Sequence, residues 1–156
     1  MQDGAVKLVR ATTDDAAAVR ALVRSAYAKW IPVIGREPKP MVADYDHAVE
    51  HHRVDLLYAG DELAALIETI AESDHLLIEN IAVAPPFQGR GYGKRLMAHA
   101  EQLAASLGFD ALRLFTNKQF AENVALYLKL GYRIDREEPF MGGFSLYMSK
   151  PVAKAA

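Results

Sequence analysis

Residues 75–108 read HLLIENIAVAPPFQGRGYGKRLMAHAEQLAASLG, and they constrain the fold more than any other stretch of this 156-residue chain. The apolar-rich run His75–Ala84 predicts a strand, which Pro85-Pro86 ends. Gly89, Gly91 and Gly93 follow within five residues, and the period then changes. Leu96, Ala100, Leu103, Ala104 and Leu107 make one helical face, with Gly108 as its C-terminal stop. A helix starting directly after a glycine turn leaves unpaired N–H donors and a positive dipole end at that turn. Three residues without Cβ let the backbone approach a ligand closely. The combination suits phosphate or pyrophosphate, and Arg90, Lys94 and Arg95 add positive charge. A tight connection holding no ligand is the plain structural alternative.

Spacing removes two phosphate motifs. The dinucleotide fingerprint G-x-G-x-x-G fails because Lys94 stands at its final glycine. The P-loop fails because Gly89–Gly93 is one residue too short and Arg95 replaces Ser/Thr.

The rest of the chain predicts a mixed α and β domain. Ala5–Arg10 alternates as a first strand. Thr12 and Asp15 form a capping-box-like start to a helix over about 13–29, with Val19, Leu22, Val23, Ala26, Tyr27 and Trp30 on one face. Pro32, Gly35, Pro38 and Pro40 predict some ten irregular residues, and Met41–Arg53 a weaker helix. VDLLYAGDELAALIETI, from Val54, reads as two strands turning at Gly60-Asp61. Ala111–Thr116 is a further strand, Glu122–Leu130 a helix ending at Gly131, and Tyr132–Arg136 and Phe144–Met148 two last strands. The expected organisation is one domain over residues 1–150, with a flexible tail at 151–156.

Composition bounds the function classes. With no Cys, a disulfide scaffold, a Cys-ligated zinc site and a cysteine nucleophile are excluded. Eighteen Lys+Arg against 20 Asp+Glu give a formal charge of −2, so no global attraction to nucleic acid or anionic membrane is expected. No apolar run approaches the ~20 residues that span a bilayer, and MQDGAVKLVR lacks a signal-peptide core. A cytoplasmic location is expected. The five His form no ligand set, since His47, His51 and His52 lie in a polar stretch and His75 and His99 are isolated. No metal is expected.

The pattern Q-x-x-G-x-G at Gln88–Gly93, between IENIAVAP and a helix and followed by TNKQFAENVALYLKLGYR, resembles the GNAT superfamily of acyl-CoA-dependent N-acetyltransferases. The resemblance covers residues 54–149, and the N-terminal third follows the family in its strand–helix–helix order. It implies a single α+β domain with a mixed, mostly antiparallel central sheet, splayed between the fourth and fifth strands, and helices on both faces. It implies acetyl-CoA as cosubstrate, with the pantetheine arm between His75–Ala84 and Ala111–Thr116. The backbone of Ile81, Ala82 and Val83 would pair with the pantetheine amides like an added strand. Gln88, Gly89, Arg90, Gly91, Gly93 and Lys94 would hold the diphosphate, and Asn123 would contact the CoA arm.

Transfer to an amine poses two proton problems. A lysine-like amine, pKa about 10.4, is roughly one part in a thousand neutral near physiological pH, and the departing thiolate benefits from an acid. The resemblance implies Tyr127, one helical turn beyond Asn123, as that acid; a core aromatic is the alternative. Glu79 is the candidate base, on the strand face of Leu77, Ile81 and Val83. Some family members place a catalytic Glu two residues earlier, where this chain has Leu77. A Glu paired with Arg113, or deprotonation relayed by water, are the alternatives. The resemblance implies an acceptor site among Trp30, Ile31, Arg36, Met41, Tyr45, Phe140, Phe144 and Tyr147.

The leading expectation is an N-acetyltransferase in which a primary amine attacks acetyl-CoA directly in a ternary complex. The acceptor is expected to be a small molecule, with peptide amines open. The second reading is a non-catalytic acyl-CoA sensor on the same fold. A homodimer is open, since family members often dimerise.

Overall fold

The computed structural model describes residues 5–153. In chain order they form β1 (Val6–Arg10), α1 (Ala16–Tyr27), α2 (Ile31–Ile34), α3 (Tyr45–His51), β2 (Arg53–Ala59), β3 (Glu62–Ala71) and β4 (Leu76–Val83). Then follow α4 (Tyr92–Ser106), β5 (Ala111–Asn117), α5 (Ala121–Lys129), β6 (Arg133–Phe140) and β7 (Gly143–Pro151). The strands make one seven-stranded sheet in the order β1-β2-β3-β4-β5-β7-β6. β1–β2, β2–β3, β5–β7 and β6–β7 are antiparallel, whereas β4–β5 is parallel. The β4–β5 register runs from Leu76–Leu112 to Ile78–Leu114. β4 continues to Val83, so the two strands part after Ile78, as expected for a sheet splayed between its fourth and fifth strands.

The described residues fall into two compact units. One comprises the chain up to Thr69 together with Asn80–Leu96; the other comprises Ile70–Glu79 together with Met97 onward.

In the first unit, α1 buries Val19, Leu22, Val23, Ala26 and Tyr27, the face its periodicity marks. Its start is fixed locally: the Thr12 N–H donates to the Asp15 carboxylate at 2.8 Å. β3 buries six successive residues, Ala64–Thr69, the signature of a strand covered on both faces. The weak helix expected over Met41–Arg53 is shorter, Tyr45–His51, because Asp44 caps it by accepting from the His47 N–H at 3.1 Å. It nevertheless buries Tyr45, Ala48 and Val49. The proline-rich segment holds more structure than expected. Pro32 sits in the first turn of α2, where a missing N–H costs nothing, and Gly35 ends that turn with φ +76°.

In the second unit, α4 buries Met97, Ala100, Leu103 and Ala104. β5 turns Leu112 and Leu114 inward and Arg113 and Phe115 outward. β6 and β7 run further than the sequence suggests, to a two-residue hairpin turn at Met141 (φ +48°) and Gly142 (φ +82°). Two residues expected in the tail belong to the fold. Pro151 ends β7, and the buried Val152 donates its N–H to the Asp110 carbonyl at 2.8 Å. Residues 154–156 lie outside the described residues.

Candidate active site

The first unit carries the glycine turn. Gly89 and Gly91 take φ values of +81° and +83°, the left-handed region that residues with a Cβ seldom adopt. A Cβ built at either glycine meets nothing within 4 Å, so the requirement for glycine is conformational and the turn is open on that side. The Gly91 carbonyl accepts from the Arg95 N–H at 3.0 Å, which makes Gly91 the cap of the 15-residue α4. Helix geometry leaves the N–H groups of Tyr92, Gly93 and Lys94 without an intrahelical acceptor. Arg90, Lys94 and Arg95 are exposed beside them. The Arg90 guanidinium rests 5.3 Å from the Phe87 ring centre. These are the donor set and charge that a diphosphate requires.

The Gln88 side chain is held by two hydrogen bonds within the protein. Its Nε2 donates to the Val83 carbonyl at 2.9 Å, and its Oε1 accepts from Lys29 Nζ at 3.2 Å. The side chain thus ties the turn to the end of β4 and to the residues just after α1. Lys29, which the sequence analysis did not single out, also lies 5.2 Å from the Trp30 ring centre. On β4, Ile81 and Val83 are half-buried and Ala82 is buried.

A buried polar chain lies beside Ile81. The Tyr27 hydroxyl is 2.8 Å from Asn80 Oδ1 and 3.1 Å from the Ile81 carbonyl. Asn80 Nδ2 donates to the Tyr45 hydroxyl at 3.1 Å, which donates to the Pro40 carbonyl at 2.6 Å. Asn80 shares the buried face of β4 with Leu76, Ile78 and Ala82. A lone amide on an otherwise apolar strand face was the signal available in the sequence, since buried polar groups need partners.

Of the acceptor candidates in this unit, Trp30 and Met41 are buried and Arg36 is half-buried, donating from Nη1 to the Glu37 carbonyl at 3.2 Å. Tyr45 is only 1% exposed, so the structure places it in the interior network. His52 pairs with the buried Glu68 at 2.6 Å.

The second unit carries Tyr127, Asn123 and Glu79. Tyr127 is buried on α5, 6.1 Å between ring centres from Tyr132, whose N–H donates to the Tyr127 carbonyl at 3.0 Å. Burial raises the Tyr127 pKa above the ordinary phenol value. Burial first, then the Glu101 charge, raises that of Tyr132. Asn123 is half-buried, one turn before Tyr127. Glu79 is half-buried on the face of β4 that Leu77 shares. Phe144 is exposed under the Lys118 ammonium, 5.6 Å from its ring centre, while Phe140 is exposed and Tyr147 lies 3.9 Å from the Arg136 guanidinium.

The family model described as the acetyltransferase (GNAT) family matches residues 17–132. The chain belongs to that family. It is 33% identical over 90 residues to an uncharacterised N-acetyltransferase, YvbK, of Bacillus subtilis (strain 168), covering 57% of this chain and 58% of that protein. It is 37% identical over 76 residues to the ribosomal protein bS18-alanine N-acetyltransferase of Salmonella typhimurium (strain LT2), covering 49% and 51%. The matched region thus spans little more than half of either relative. Among solved structures, the PaiA N-acetyltransferase of Thermoplasma acidophilum in complex with coenzyme A shares the fold. Its TM-score is 0.81 at 16% identity over 94% of this chain and 99% of that one.

Proposed function

We propose that the protein is an N-acetyltransferase that moves an acetyl group from acetyl-CoA to a primary amine by direct attack in a ternary complex. The observation that carries this reading is the left-handed pair Gly89 and Gly91 capping a 15-residue helix. The diphosphate of coenzyme A fits the donors that this turn leaves unpaired. When bound, acetyl-CoA supplies the activated acyl thioester.

The chain's own residues then have separate tasks. The N–H groups from Gly89 to Lys94, with Arg90 and Lys94, hold the diphosphate. The backbone of Ile81, Ala82 and Val83 pairs with the pantetheine amides in the manner of an added strand. Gln88 works by fixing the turn against Val83. Tyr127 keeps its proton because burial raises its pKa, and it donates to the departing thiolate. Asn123 contacts the CoA arm, and Glu79 takes the amine proton, directly or through water. Trp30, Arg36 and Phe144 are the proposed acceptor-site residues, and Tyr45 supports the proline-rich segment from the interior, through its hydroxyl on the Pro40 carbonyl.

The acceptor is a small-molecule or peptide amine. The Salmonella relative's name assigns it an alanine of a ribosomal protein, so peptides with a free N-terminus join amino acids and polyamines as test acceptors. The deciding experiment measures thiol release from acetyl-CoA across that panel, alongside calorimetry with coenzyme A. Turnover with one acceptor class supports the reading. Binding of coenzyme A without turnover of any amine favours a non-catalytic sensor, and absence of binding contradicts both.

A further inference from the structure

We infer that Asn80 is a positioning residue that couples the proline-rich segment 31–43 to the cofactor-pairing stretch of β4 through the buried chain Ile81–Tyr27–Asn80–Tyr45–Pro40. The inference rests on the reading of Ile81–Val83 as the pantetheine partner.

The direction of the chain follows from its end. A carbonyl only accepts, so the Tyr45 hydroxyl spends its single proton on Pro40, 2.6 Å away. Tyr45 must then accept from Asn80 Nδ2, at 3.1 Å. That leaves Asn80 Oδ1 to accept from Tyr27, at 2.8 Å. Tyr27 has one hydroxyl proton but two acceptors, Asn80 Oδ1 and the Ile81 carbonyl at 3.1 Å. A ligand amide donating to the Ile81 carbonyl competes with Tyr27 for that oxygen and biases the Tyr27 proton toward Asn80. The bonds along a buried chain polarise one another, so that bias strengthens the hold on Pro40. Tyr27, Tyr45 and Asn80 are 9%, 1% and 5% exposed, so water competes little for these bonds. The segment does not depend on this chain alone for its fold. Arg24 holds it independently, through the Met41 carbonyl at 2.8 Å and Glu37 at 2.7 Å.

The test uses coenzyme A as the only ligand, with amide hydrogen exchange as the readout and calorimetry on the same samples. In the unaltered protein, coenzyme A should slow exchange of the amides in 31–43 by about fivefold or more, the lower range of ordinary site coupling. Tyr27→Phe and Tyr45→Phe keep their rings and break the chain at either end. Both should bind coenzyme A while losing that slowing. Asn80→Leu keeps much of the volume and removes both the donor to Tyr45 and the acceptor of Tyr27, and serves if either phenylalanine variant fails to fold. A merely structural role for these residues would change exchange equally with and without coenzyme A. Slowing that persists in the folded variants, or is absent from the unaltered protein although coenzyme A binds, overturns the inference and leaves the proposed function standing. No binding at all removes both.

Discussion

Tyr127 holds its proton because its ring is buried and its phenolate would be poorly solvated. If that proton goes to the thiolate, Tyr127→Phe should lower kcat by about a hundredfold, the lower range for a general acid. The KM for acetyl-CoA should stay nearly unchanged, because the ring still packs against Tyr132. Steady-state thiol release checks this, and full turnover in the variant would remove Tyr127 from the mechanism. Asn80 is the second residue whose chemistry exceeds its packing. Asn80→Leu removes two buried hydrogen bonds, from the Tyr27 hydroxyl and to the Tyr45 hydroxyl, while the Ile81 and Pro40 carbonyls still accept from the two phenols. Urea unfolding should show a loss of about 1–3 kcal/mol, the usual net worth of two such bonds. A loss near zero would mean that the two phenols find other partners.

At the scale of elements, the glycine turn and the last hairpin make opposite predictions about left-handed backbone. Gly91 has φ +83° with open space around a built Cβ, so Gly91→Ala meets conformational strain and no clash. Stability should fall by about 1–2 kcal/mol, and coenzyme A affinity should fall with it if the turn shifts. Met141 already occupies such a position, at φ +48° beside Gly142. Met141→Asn should therefore raise stability, by about 0.5–1 kcal/mol, because Asn suits both positions of this turn type. Thermal unfolding of the two variants checks the pair. The same contrast explains which elements were legible in the sequence. Gly60-Asp61 announces its hairpin, whereas Met141-Gly142 does not, and so β6 and β7 extend beyond their apparent ends. Likewise Pro32 reads as a breaker until its place in the first turn of α2 is known. α4 and β4 were legible because their periods are clean and the prolines and glycines between them mark both ends.

For the whole molecule, Tyr127 and Tyr132 set the alkaline limit. Both have pKa values raised above the ordinary 10.0 by burial, Tyr132 also by Glu101. The unfolded chain therefore loses these protons first. Their contribution is complete below about pH 10 and is lost as pH rises through the folded values. Urea midpoints should fall as pH rises above about 10, and Tyr132→Phe should flatten that fall. At the acid end, Asp135 has its pKa lowered, mainly by the Ser149 hydroxyl and then by Arg133. Its contribution is present above the ordinary carboxylate value and is lost as pH falls through its lowered one. The candidate site divides along similar lines of legibility. The glycine turn was readable because left-handed backbone favours glycine. The hydrogen bonds of Gln88 and Tyr45 were not, because their partners Lys29 and Asn80 lie 59 and 35 residues away in the sequence. Titration calorimetry comparing coenzyme A with S-acetylpantetheine, which lacks the diphosphate, tests the central claim most directly. Measurable heat with coenzyme A at millimolar concentration, and binding at least about tenfold weaker without the diphosphate, is the predicted result. Equal affinity for the two, or no heat with coenzyme A, would contradict it.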